Sequence, residues 1–240
     1  MDESPRQRHA CPTGEMMRHG TDGSQSPFKK NKNSFEGTAS TMEITNQKTS
    51  VRVMLHAGLL PLPWFILWLS AAGLAQPGYS ALAQHGSELL ASGEISSVFM
   101  RVAAMGSGIG FILFGFAVGK LSRQKLSLAA MTWIIFGLSM VSNGIWPMGT
   151  PMHGLYAAGV INLIAPAISH MELESWLDQP WHRQITALSS LAGVVYLWLN
   201  LTGNDPESLR GFTQRAFFSL FALWTFFISL SILRKSRVLV

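Results

Sequence analysis

Beyond residue 52 the chain carries only ten Lys and Arg and seven Asp and Glu, so each group capable of chemistry there stands out. Three short stretches collect most of them. The first holds Tyr79, His85, Ser87 and Glu88, the second Trp146 and His153, and the third Arg210, Gln214 and Arg215. Several chemistries are compatible with these types. In a ligand site, Arg215 supplies a fixed cation with two parallel donors. Glu88, His153 and Gln214 add hydrogen bonds, and Trp146 adds an interfacial wall. In a zinc site, His85, Glu88 and His153 provide three ligands and leave a position open for water. That motif is loose, with no HExxH and no third histidine nearby. A purely architectural use is also open, with Glu88 and Arg215 neutralising each other and His153 capping the helix that follows. A Ser87–His153–Asp205 triad lacks the nucleophile-elbow pattern around the serine. His56, His170 and His182 would have to face one another at one depth to hold haem. His182 reads as a loop residue and His56 as lying near a helix start, both reaching toward an interface. The expectation is a ligand site without metal or cofactor.

The elements that must position these groups are marked by missing charge, since an ionised side chain at mid-membrane costs several kcal/mol. Val53–Ser87, Val102–Gly119, Leu126–Met171, Gln184–Asn204 and Ala216–Leu233 contain no Asp, Glu, Lys or Arg. The third run is 46 residues long, too long for one crossing, and Trp146–Gly154 (WPMGTPMHG) divides it with Pro and Gly turn signals. Each resulting segment suffices for a bilayer core of roughly 30 Å. The fold class expected is all-α: a bundle of six transmembrane helices at about 55–75, 102–120, 126–146, 153–171, 184–202 and 214–233. The alternation of a β-barrel is absent.

Within the second span, Gly106 and Gly110, then Gly115 and Gly119, stand one turn apart, which lets a neighbouring helix approach closely and places this span at the bundle centre. Pro61, Pro63 and Pro166 are the only candidate breaks, and no internal repeat of the kind transporters carry is evident.

Lys120, Arg123 and Lys125 after span two, and Arg234, Lys235 and Arg237 at the end, put both termini in the cytoplasm of an inner membrane. The loop with Glu172, Glu174 and Asp178 lies on that side too, although it is acidic. The first two residue groups and the start of span six then fall on the extracytoplasmic face.

Residues 1–52 hold 8 of the 18 Lys and Arg and 6 of the 13 Asp and Glu, without apolar periodicity. This tail reads as disordered and cytoplasmic. Its Lys29, Lys30 and Lys32 read as a solvated cluster, and Met42 is an alternative start. The net charge of +5 comes with no basic stripe interleaved with aromatics, which argues against nucleic acid. The single Cys11 excludes an intramolecular disulfide. Gly73-Leu74-Ala75 resembles a signal-peptidase site, but the apolar run before it exceeds a usual signal core.

In Ser87-Glu88-Leu89, the glycine-rich second span with its basic loop, Trp146-Pro147 through His153-Gly154, and Arg210-Gly211-x-x-Gln214-Arg215, residues 53–237 resemble the bacterial six-span membrane proteins grouped as domain of unknown function 998. Leu90-Ala91-Ser92 departs from the glycine that often follows Ser-Glu-Leu there. The resemblance implies the fold, not an activity. The expected function is binding of a small molecule or lipid head group in an extracytoplasmic polar pocket of Glu88, His153, Gln214, Arg215 and Trp146, with membrane lipids as partners. A metal-dependent membrane hydrolase and a structural partner subunit are the alternatives.

Overall fold

The computed structural model describes residues 49–92, 94–153 and 163–238. The tail up to residue 48, with Cys11 and the Lys29, Lys30 and Lys32 cluster, and residues 154–162 of the expected fourth span lie outside the described residues.

Every described element is helical. The first span has two pieces, α1 (49–57) and α2 (Pro61–Leu74), and a 3-10 helix (Gly86–Ala91) follows. Then come α3 (Glu94–Leu121), α4 (Leu128–Ile145), α5 (Ala165–Glu172), α6 (Pro180–Thr202) and α7 (Arg210–Val238). Among the described residues, five helices are long and apolar enough to cross a membrane: Thr49–Leu74, Ile95–Leu121, Leu128–Ile145, Pro180–Thr202 and Arg210–Ser236. Of the expected span at 153–171, α5 is the described helical part.

The boundaries differ from the charge-free runs for physical reasons. The first span starts at Thr49, so residues 49–52 belong to it rather than to the tail. It breaks where Pro61 has no N–H to give. Gly58, Leu59 and Leu60 instead donate to Leu55, His56 and Ala57 at 3.1–3.2 Å, a tighter turn, and the Ser107 hydroxyl pins the break by donating to the Pro61 carbonyl at 3.3 Å. Helix α3 starts eight residues before Val102 and takes Arg101 into its early turns. The guanidinium of Arg101 donates to Gly144 and Ile145 at 2.9 and 2.8 Å, capping the carbonyl end of α4, where a cation is favourable.

Helix α3 sits at the centre and uses its glycines on two faces. A Cβ at Gly106 would collide with the Trp64 indole, and one at Gly110 would stand 2.9 Å from the Pro61 ring. Gly108 and Gly115 face α4 instead, against the backbone oxygens of Gly137 and Ala130. Close backbone approach of this kind is how small residues pack membrane helices. Beside it, Phe111, Phe114, Trp133, Phe221 and Trp224 are buried together, with the two tryptophans stacked at 5.4 Å. Each indole N–H has a hydroxyl partner: Trp133 on Ser169 at 2.8 Å, Trp224 on Thr186 at 2.9 Å.

The end of the bundle holding 122–127 and 173–179 shows why an acidic loop is tolerated there. Glu172 accepts from the hydroxyls of Ser122 and Ser127 at 2.9 and 2.5 Å and from the Ala129 N–H at 3.1 Å, so it caps the start of α4. Asp178 pairs with Lys235 at 2.9 Å. His182, expected in a loop, is instead buried in the first turn of α6. Its Nδ1 accepts the Gln179 N–H at 3.1 Å and its Nε2 meets the Ser231 hydroxyl at 2.9 Å. Both ring nitrogens are occupied, which leaves none for a haem iron.

Candidate functional site

At the opposite end the segment 75–92 folds down onto the start of α7, and the residues singled out in Arg210-Gly211-x-x-Gln214-Arg215 make the junction. The first N–H groups of a helix lack intrahelical acceptors. Here Phe212 N–H donates to the Leu82 carbonyl at 3.0 Å. Gly211 makes this approach possible, because a Cβ there would strike the carbonyl oxygens of Ala81 and Gln84 and the Arg215 guanidinium. Arg215 Nη1 donates to Ala81, Gln84 and Gly211 carbonyls at 2.6, 3.0 and 2.7 Å, and Nη2 to the Tyr79 hydroxyl. The cation also lies 5.7 Å from the Tyr79 ring centroid. Gln214 Oε1 accepts the Gly86 N–H at 2.8 Å, satisfying one orphan donor of the 3-10 helix.

Glu88 is turned inward on its own segment. Its carboxylate accepts from His85 N–H at 2.8 Å and from Gln84 Nε2 at 3.3 Å, the inner half of a cap. The segment 79–92 is therefore not one continuous helix, although His85 and Glu88 do stand one turn apart. Among the described residues Glu88 and Arg215 form no ion pair. Leu89, next in line, is buried in the core.

His153 and Trp146 form a separate unit. The His153 Nδ1 lies 2.9 Å from the Trp146 carbonyl. The Ser87 hydroxyl touches Met148 Sδ at 3.5 Å, so the 146–153 turn borders the 3-10 helix without joining Arg215. Ser87, His153 and Asp205 each have different partners and do not assemble as a triad.

The five residues expected to share one pocket are thus divided. Arg215 and Tyr79 head a cavity of about 490 Å³ between α2 and α7, walled by Phe65, Ile66, Leu69 and Leu74. Glu88 lines a separate recess of about 100 Å³ with Gln76, Gln84 and Ser92. Gln214 is committed to the loop, while Trp146 and His153 lie in the neighbouring turn.

Asp205, which the sequence suggested only as a triad member, faces His85 instead. Its Oδ1 accepts from Thr213 at 3.0 Å, and its Oδ2 lies 4.0 Å from His85 Nε2. Both facing atoms are buried and unpartnered. Zinc bonds to nitrogen and oxygen are about 2.0–2.2 Å long, so a gap of this width would force an ion onto the line between the two atoms, with no room for tetrahedral neighbours. Among the described residues no three His, Cys, Asp or Glu gather around one point, and His85, Glu88 and His153 do not converge. Burial pushes the His85 imidazole below its ordinary value, against the opposing pull of Glu88 and Asp205, with Arg210 and Arg215 adding to the downward side. Burial raises the Tyr79 phenol, while its Arg215 neighbour pulls the other way.

Long apolar helices packed through glycine faces, with the charged side chains of the described residues gathered toward the two ends, define a polytopic helical membrane protein. The family model described as Protein of unknown function (DUF998) matches residues 59–231, and the chain belongs to that family. No curated protein and no solved structure matches it.

Proposed function

We propose that this is a six-span protein of a bacterial inner membrane, with both termini cytoplasmic, whose extracytoplasmic end binds an anionic small molecule or lipid head group at Arg215. The observation that carries the reading is the state of that guanidinium. Carbonyls and a phenol surround it, and no carboxylate among the described residues forms an ion pair with it at the head of the α2/α7 cavity. A partly desolvated cation without a counter-ion favours an incoming anion.

Six crossings are supported by the placement of helix ends: Ile145 finishes α4 at the end that holds the 146–153 turn and Arg215, whereas Glu172 and Pro180 bound the opposite end. The orientation is supported by the Lys and Arg that flank the other side. The test is thermal unfolding of the detergent-solubilised protein against a panel of anionic small molecules and lipids. At least one should stabilise the native chain, and Arg215→Ala should abolish that shift. A panel that shifts neither protein would sink the reading.

A further inference from the structure

We infer that the occupant of the Arg215 site is an anionic phospholipid of the surrounding bilayer, its phosphate on the guanidinium and one acyl chain in the groove between α2 and α7. This rests on the anion-binding reading of Arg215 and names the class of ligand.

The shape of the groove is the first reason. Its walls are the sides of two spans, lined by Phe65, Ile66, Leu69 and Leu74, with Ser219 on α7. Ile66 and Leu74 are 50 % and 90 % exposed, so the groove opens sideways on the outer surface of the bundle, where hydrocarbon rather than water surrounds a spanning helix. At about 490 Å³ it falls in the range of small-molecule sites.

The second reason is charge. The Arg215 Nε–H has no partner among the described residues, and Nη2 is shared only with the Tyr79 hydroxyl. A guanidinium offers two parallel donors that match a phosphate. Tyr79 beside it belongs to the amphipathic types that favour head-group depth. An apolar span, from another protein or a second copy, would cover Arg215 without supplying a counter-charge and would leave a desolvated cation unpaired. A soluble anion would satisfy the cation and leave the groove unused. A phospholipid satisfies both.

The experiment is native mass spectrometry of the full chain released from detergent, titrated with phosphatidylglycerol, diacylglycerol and sn-glycerol 3-phosphate. Phosphatidylglycerol should remain bound, while diacylglycerol, without phosphate, and glycerol 3-phosphate, without chains, should each bind at least about tenfold more weakly, the equivalent of about one charge-assisted contact. Ser219→Phe and Ser70→Trp, which fill the groove from its two walls and leave Arg215 in place, should lower phosphatidylglycerol binding to a similar degree. Ser70 is exposed on α2, so its variant tests the groove even if Ser219→Phe fails to fold. If glycerol 3-phosphate binds as well as the lipid and neither filling variant matters, the ligand is a soluble anion; the inference falls and the Arg215 site stands. Diacylglycerol binding equal to that of phosphatidylglycerol would also overturn it. Should nothing anionic bind at all, both readings fall together.

Discussion

The side-chain oxygen of Gln214 accepts the backbone N–H of Gly86 at 2.8 Å, joining residues 128 positions apart. This bond fixes the first turn of the 3-10 helix against the start of α7, and Arg215 repeats the attachment one residue later through Ala81 and Gln84. Replacing Gln214 by Leu strands a backbone donor of a half-buried loop, at a cost of about 1–3 kcal/mol. Gln214→Glu retains an acceptor and should cost less. Chemical or thermal unfolding in detergent separates the two, and equal losses would show that the acceptor is unimportant.

Gly211→Ala should be as damaging, for a steric reason. The added methyl meets two loop carbonyls and the Arg215 guanidinium, so the loop must lift from the helix. A destabilisation of about 1–3 kcal/mol is expected, as for other overpacked sites. Phe212→Ala, at the exposed neighbouring position, is the control and should be nearly silent. Wild-type melting of Gly211→Ala would mean that the loop carries no packing weight.

At the other end, Glu172 accepts three hydrogen bonds at the start of α4. Glu172→Ala leaves the Ser122 and Ser127 hydroxyls and the Ala129 N–H to find other acceptors. Charged hydrogen bonds are worth about 1.5–3 kcal/mol each, less what water restores. We expect a lowered unfolding midpoint and faster hydrogen exchange in the first turn of α4. Unchanged exchange there would contradict the cap.

His85 makes the loop sensitive to acid. Its folded value lies below the usual 6.5, chiefly through burial. The open loop therefore binds more protons as pH falls through 6.5, so closure loses stability on acidification and keeps it in full above that value. Hydrogen exchange of residues 79–91, corrected for intrinsic rates, should accelerate as pH drops below 6.5. His85→Gln should flatten the response. A wild-type loop indifferent to pH, or a variant that responds equally, would refute the assignment.

Much of the fold was legible because membrane burial acts on single residues. A charge in the hydrocarbon is costly wherever its partners lie, so runs without charge mark spans. Gly106 and Gly110 announced a central helix because close packing needs small residues whichever neighbour arrives. What single residues did not explain arose where a polar group is satisfied by something distant. Arg101 enters α3 because α4 presents carbonyls to it. Glu172 fits an otherwise basic side because it caps α4. His182 is buried because Gln179 and Ser231 occupy both its nitrogens.

The candidate site followed the same division. From sequence alone the polar types, their confinement to loop ends, and the gathering of Arg210, Gln214 and Arg215 in one short stretch were accessible. Tertiary structure decided which of them meet. It gave Gln214 to Gly86, Glu88 to its own turn and His153 to Trp146, set Asp205 facing His85, and bonded Arg215 to loop carbonyls and Tyr79 beside an apolar groove. Composition governs where a group is tolerated, a property of one residue and its solvent. A hydrogen bond also needs a partner within about 3 Å, and for residues more than a hundred positions apart only the packing of non-adjacent helices sets that distance.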